Sequence, residues 1–111
     1  MNITIREHSE REHAIALTVL GEVDVYTAPQ LREKLLTLCQ GGSSIHLDLA
    51  GVDYIDSTGL GVLIGAYKAQ KSTGGKLIIS GMNSRLARLF RITGLQEIME
   101  FGPDNQEDGK S

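Results

Sequence analysis

The chain is poor in several residue types, and each scarcity excludes a class of protein. A single cysteine, Cys39, in 111 residues rules out an internal disulfide and suits a reducing compartment. Aromatic residues make up only 5% and tryptophan is absent, so the core has to be built from aliphatic side chains. The longest apolar stretch, near residues 60–66, is broken by glycines and is too short for a transmembrane helix. Because no basic segment followed by an apolar run begins the chain, we expect no secretory signal and a cytoplasmic location.

The chain also has little excess charge of either sign. A net charge of -3, with 41% hydrophobic and 23% charged residues, is typical of a folded soluble domain. This balance argues against electrostatic binding to nucleic acid or to an anionic membrane surface. The length suits one domain. We place it at residues 1–101 and expect the glycine-, proline- and charge-containing residues 102–111 to form a disordered tail.

The residue patterns that enzymes and metal sites require are missing from the sequence. None of the three histidines, His8, His13 and His46, stands in a motif with a serine or with Cys39. No two histidines have the spacing of metal ligands on a helix, and neither a Walker A loop nor a G-x-G-x-x-G fingerprint is present. We therefore expect no catalytic residue, no metal and no cofactor, and interpret Cys39 as a small buried hydrophobic residue.

Hydrophobic periodicity predicts a single α/β domain with a mixed sheet of about four to five strands and three or more packed helices. Ser9 to Glu12 is interpreted as a hairpin turn, and Gly21 as the end of the second strand. The order of elements is strand, strand, helix, strand, helix, strand, helix and short strand. The strands are predicted at residues 3–6, 13–20, 45–49, 76–80 and 97–101.

Each of the three predicted helices begins at a residue that can cap it. Thr27 precedes the first, which ends at Gly41-Gly42, and Asp56 precedes the second, which runs from residue 57 to about residue 73. Ser84 is expected to cap the third helix, which stops at Gly94.

The most informative segment is residues 53–61, which joins a buried strand to the second helix. Ser57 falls at the first helical position, where a phosphate on its hydroxyl could be held by unpaired backbone N–H groups. Gly59 and Gly61 lack side chains, so another protein's backbone could approach closely, and Asp24 could add a carboxylate beside Asp56. An ordinary helix start, with the hydroxyls merely capping, explains the same residues and is favoured by physical chemistry alone.

Two further surface patterns have both a structural and a functional interpretation. Gly61 and Gly65 share a helix face, where each costs about 1 kcal/mol against alanine, so that face is expected to pack against the sheet or a partner. Arg85, Arg88 and Arg91 form a stripe on the third helix that is more often a solvated face than a binding site.

The motifs in the middle of the chain resemble those of a known family. The Asp-Ser-Thr-Gly-Leu-Gly motif at residues 56–61 is similar to that of the bacterial anti-sigma factor antagonists, which consist of a STAS domain. The resemblance is closest to the antagonists of the general-stress sigma-B system, with those of the sporulation sigma-F system next. The matching stretches follow the family's order and cover nearly the whole chain, at residues 21–29, 53–62, 74–77 and 88–95.

The resemblance implies a partner-switching protein rather than an enzyme. In the family, the unphosphorylated antagonist binds an anti-sigma factor, which is a serine kinase of the histidine-kinase-like ATPase fold, and thereby frees the sigma factor. The same kinase phosphorylates the serine that maps onto Ser57, and a PP2C-type phosphatase reverses the modification. The residues expected to contact the partner are Asp24, Thr27, Asp56, Ser57, Thr58, Gly59 and Gly61.

Two other functions compete with this interpretation. A STAS subunit of a scaffold or of a transporter-associated complex would not act on a sigma factor, and the intact phosphoacceptor argues against it. A small enzyme or nucleotide-binding protein would need loops and bases that the sequence lacks. A pull-down from a bacterial lysate separates the first two, because a switch recovers an ATPase-fold kinase and a scaffold recovers transport proteins.

Overall fold

A computed structural model describes residues 2–102, apart from the side chain of Arg11. Within them a five-stranded sheet, three α-helices and one short 3-10 helix follow one another in the predicted order, which confirms the α/β fold. The elements are β1 (Ile3–Arg11), β2 (Ala14–Val23), α1 (Ala28–Cys39), β3 (Ser44–Ile55), α2 (Ser57–Thr73), β4 (Leu77–Ser80), α3 (Ser84–Ile92), the 3-10 helix (Leu95–Glu97) and β5 (Glu100–Phe101).

The strands lie in sequence order across a mixed sheet. β1 pairs antiparallel with β2, whereas the pairs β2–β3, β3–β4 and β4–β5 are parallel. Because each parallel connection runs through a helix to the adjacent strand and such crossovers are right-handed, the helices collect on one face. Leu17, Leu47 and Ile79 on that face are fully buried, whereas Ala16 and Ile78 on the other face stay partly exposed.

The first three strands are longer than the sequence analysis predicted. β1 continues through the expected hairpin to Arg11, and the turn is tight, with His13 in the left-handed region at φ 66°. Gly21 does not end β2: it adopts φ 103° beside an irregularity in the pairing, and the strand continues to Val23. β3 likewise extends to Ile55. Bulges let paired strands absorb an extra residue without separating, which a simple alternation pattern does not reveal.

Asp56 and Thr27 occupy the cap positions predicted for them, Ser84 does not, and only Asp56 of the three caps its helix through the side chain. Asp56 does cap α2, because its Oδ1 accepts a hydrogen bond from the Gly59 N–H at 3.1 Å. Thr27 makes no cap bond, since its hydroxyl donates to a backbone carbonyl of β2 instead. Ser84 is the first residue of α3, and the cap is Asn83, whose Oδ1 accepts from the Leu86 N–H at 2.9 Å.

The last strand is shorter than predicted, and the first residue of the predicted tail is bonded to the sheet. Gly94, at φ 79°, leads into the 3-10 helix, so β5 shortens to Glu100–Phe101. The Gly102 N–H donates to the carbonyl of Ile79 at 2.9 Å, which anchors the first residue of the expected tail to the sheet. The rest of that tail, residues 103–111, lies outside the described residues. None of the helices in residues 2–102 has the length and apolar character that crossing a bilayer requires.

Candidate functional site

The carboxyl ends of β2 and β3 bring two connecting segments together. Val23 lies opposite Ile55 in the parallel register, and the Asp56 N–H donates to the Val23 carbonyl at 3.2 Å. The segment that follows each strand therefore begins at the same edge of the sheet. One is the turn of residues 24–27 before α1, and the other is the start of α2, which carries Ser57. The structure thus joins the two regions that the sequence analysis singled out.

Ser57 occupies an accessible position at the start of a well-capped helix. Ser57 and Thr58 are both exposed, while Asp56 is partly buried and caps α2 through its side chain. The Leu60 N–H closes the first helical turn on the Asp56 carbonyl at 2.9 Å. N–H groups in the first turn have no intrahelical acceptor, and the helix dipole favours negative charge there. The start of α2 thus presents an exposed hydroxyl beside backbone N–H groups that favour an anion.

The turn of residues 24–27 is held by a compact set of hydrogen bonds. Asp24 Oδ1 accepts from the Thr27 N–H at 3.0 Å, and the Asp24 N–H donates to Thr27 Oγ1 at 2.9 Å. The Thr27 hydroxyl in turn donates to the Glu22 carbonyl at 2.7 Å. Asp24 and Thr27 are both buried, and Asp24 Oδ2 has no hydrogen-bond partner among the described residues. These two side chains therefore shape the turn instead of offering polar groups at the surface.

The glycines of the motif have different surroundings. A Cβ on Gly59 would lie 2.6 Å from Ile55 Cγ1 and 2.8 Å from Val23 Cγ1, so packing against β2 and β3 requires glycine there. A Cβ on Gly61 or Gly65 would meet nothing within 4 Å. The sheet therefore does not explain these two glycines. They line an open groove of about 260 Å³ between α1 and α2, together with Arg32, Leu35, Leu36, Thr58, Val62 and Ala66.

The sequence analysis did not place three exposed apolar residues at this site. Tyr26 is 81% exposed and Val25 57% exposed in the turn, and Tyr54 at the end of β3 is 45% exposed. The sequence contains one signal for this exposure, because Tyr26 is a large aromatic residue in the short connection between a strand and a helix, and such connections usually lie at the surface.

The remaining reactive residues do not form a second site within residues 2–102. No group of His, Cys, Asp and Glu in that part of the chain has the arrangement of a metal site. Cys39 is buried as predicted, with its thiol 3.7 Å from the Ala66 carbonyl, and burial raises its pKa above the usual value. The stripe of Arg85, Arg88 and Arg91 is exposed.

Comparison with known proteins identifies the fold and its relatives. A family model described as STAS domain matches residues 6–107. The chain belongs to the STAS domain family. The anti-sigma-B factor antagonist of Bacillus subtilis (strain 168) is 42% identical to this STAS domain over 106 residues, or 96% of each chain.

Solved STAS structures agree with the architecture described above. An anti-sigma factor antagonist from Mycobacterium paratuberculosis superposes with a TM-score of 0.75 at 27% identity, over 92% of this chain and 86% of that one. The Bacillus cell fate determinant SpoIIAA in its phosphorylated form gives a TM-score of 0.71 at 19% identity, over 93% and 95% of the two chains. At that lower identity the second likeness supports the fold alone.

Proposed function

We propose that this STAS domain is an anti-sigma factor antagonist whose binding is switched off by phosphorylation of Ser57. In its unphosphorylated form it binds an anti-sigma factor that is also a serine kinase of the ATPase fold, and so releases a sigma factor. The name of the Bacillus subtilis relative supports the antagonist function. The observation that carries the switch is Ser57, exposed at the capped start of α2 in the region where two loops meet.

The local chemistry explains how one phosphate can stop binding without refolding the domain. A phosphoserine adds about -1.5 to -2 charge at neutral pH. The start of α2 can hold this charge, but the partly exposed Asp56 carboxylate is adjacent and the exposed Asp53 lies three residues earlier. The surface offered to the partner therefore becomes strongly negative. Like charges across a desolvated interface cost several kcal/mol, and at about 1.4 kcal/mol per decade this weakens binding a hundredfold or more.

The same proposal defines the enzymes and the place of the reaction. The anti-sigma factor supplies ATP and Mg²⁺ for transfer to the Ser57 hydroxyl, and a PP2C-type phosphatase removes the phosphate. This chain contributes the acceptor and the recognition surface, without a catalytic group of its own. A protein that controls a sigma factor works where RNA polymerase is, so we place it in the cytoplasm.

Identification of the phosphorylated residue tests the proposal directly. Thr58 is the adjacent competitor, and it points about 100° further round the helix. Incubation with the kinase and ATP should label the wild type and Thr58→Ala, but not Ser57→Ala. The melting temperature of Ser57→Ala should be unchanged, because Asp56 still caps α2. Mass spectrometry that locates the phosphate on Thr58 would refute the assignment.

A pull-down tests the partner class. The unphosphorylated wild type should retain an ATPase-fold serine kinase from a lysate of the native bacterium in the presence of ADP, and Ser57→Glu should not retain it. Recovery of membrane transport proteins by both baits, without such a kinase, would instead support a scaffold.

A further inference from the structure

Exposed apolar side chains concentrate at one edge of the sheet. Five large apolar residues are exposed among residues 2–102, and three of them lie at the end of β2 and β3 that carries Ser57. Large apolar groups that are exposed together mark interaction surfaces, whereas scattered single ones do not. The three residues, called here the apolar edge, are Val25, Tyr26 and Tyr54.

The backbone beneath Tyr26 is fixed although its ring is in solvent. Both the Tyr26 N–H, at 2.9 Å, and the Thr27 N–H donate to Asp24 Oδ1, which is buried. A side chain on a pre-ordered turn loses little conformational freedom when it binds a partner. Tyrosine is also among the residues that most often carry the binding energy of protein interfaces. Tyr26 therefore has the properties of an anchor residue.

The polar residues around the apolar edge define the chemistry of a fitting partner. Asp53 is exposed next to Tyr54 in the sequence, and Asp56 is partly buried next to Ser57. Neither carboxylate takes part in an ion pair within the described residues. A complementary surface would offer an apolar pocket for the three side chains and leave both carboxylates in solvent at its polar rim.

We propose that Tyr26 is the main apolar anchor by which the anti-sigma factor binds this domain, with Val25 and Tyr54 at the rim of the contact. The proposal rests on the function proposed above and adds the residues that supply affinity, whereas Ser57 supplies the switch. The apolar edge adjoins the start of α2, which supports a single partner for Tyr26 and Ser57. Tyr54 lies directly before the Ile55-Asp56 step into α2, and its register partner Glu22 lies just before the Asp24 turn.

Titration calorimetry with the anti-sigma factor, in the presence of ADP and Mg²⁺, tests the anchor. Tyr26→Ala should raise Kd at least about tenfold, as truncation of an anchor residue does. Tyr26→Phe keeps the ring and should stay within about threefold of the wild type. Ile92→Ala provides the matched control, because Ile92 is 69% exposed at the last residue of α3 and belongs to neither segment of the apolar edge, so its truncation should leave Kd unchanged. All three variants should melt like the wild type, since the altered side chains are exposed.

A fourth variant separates failure of the anchor from failure of the proposed function. If Ser57→Glu abolishes binding while Tyr26→Ala binds like the wild type, the function stands and the anchor is wrong. If Ser57→Glu and the wild type bind alike, the phosphorylation switch is wrong, and the Tyr26→Ala titration still decides the anchor. An equal loss of affinity in Tyr26→Ala and Ile92→Ala would also overturn the anchor, because it would show a general effect of removing exposed apolar area.

Discussion

The two exposed glycines of α2 allow a prediction in which stability and binding change in opposite directions. Glycine inside a helix costs about 1 kcal/mol relative to alanine, chiefly because it loses more backbone freedom on folding. Neither Gly61 nor Gly65 has a left-handed φ, and an added Cβ meets no atom within 4 Å. We therefore expect Gly61→Ala and Gly65→Ala each to stabilise the isolated domain by about 1 kcal/mol, and the double variant by about 2 kcal/mol.

Urea denaturation followed by circular dichroism measures this gain. At constant m-value the midpoint should move to higher urea, and the melting temperature should rise by roughly 4 to 8 °C for each 1 kcal/mol in a domain of this size. Gly59→Ala is the matched control on the same helix. Its Cβ would lie 2.6 Å from Ile55 Cγ1, so it should destabilise the domain by about 1 to 3 kcal/mol through overpacking.

The binding half of the prediction concerns the groove between α1 and α2. Gly61 lines this groove together with Thr58, one residue beyond the proposed phosphoacceptor. If a partner's backbone approaches Gly61 closely, the added methyl group should weaken binding of the anti-sigma factor even though the domain is more stable. A lower melting temperature for either Gly61→Ala or Gly65→Ala would refute the packing argument, whatever happens to binding.

Three further predictions concern buried polar or reactive groups. Asp24→Ala removes the carboxylate that accepts from the Tyr26 and Thr27 N–H groups, so it should destabilise the domain by about 1.5 to 3 kcal/mol in urea denaturation. An unchanged urea midpoint would contradict a structural role for Asp24. Gln70→Leu should cost about 1 to 3 kcal/mol in the same assay, because Gln70 Nε2 donates to the Ser43 and Lys76 carbonyls at 2.7 Å each; a neutral result would mean that water replaces these bonds. The raised pKa of the buried Cys39 thiol predicts slow alkylation of the native protein, and fast labelling would contradict burial. Because folding favours the protonated thiol, the free energy of unfolding should also fall as the pH rises past the ordinary pKa of a thiol.

The nature and order of the elements could be predicted from local patterns. Alternating apolar residues predicted the five strands, and helical spacing predicted the three helices, because both periodicities follow directly from backbone geometry. The cap at Asp56 and the end of α2 at residue 73 were correctly predicted, since helix ends depend on residues within one turn. The motif around Ser57, read through its family resemblance, predicts the candidate site, and the structure shows that Ser57 is exposed there.

Other features depend on residues that are distant in the sequence. The Thr27 hydroxyl could serve equally as a helix cap or as a donor to a strand, and the approach of the Glu22 carbonyl decides between them. The register of β2 against β3 brings the 24–27 turn beside the start of α2, and no local pattern contains that pairing.

The glycines of α2 show most clearly what the tertiary structure alone decides. Gly59 and Gly61 stand two residues apart in one motif, and their sequence context implied the same use for both. Only the packing of α2 places Gly59 against Val23, on a strand more than thirty residues earlier in the chain, and leaves Gly61 open to solvent. The volume available to a side chain depends on the atoms that the fold packs around it. The free volume at each glycine is therefore decided only by the packing of the helices on the sheet.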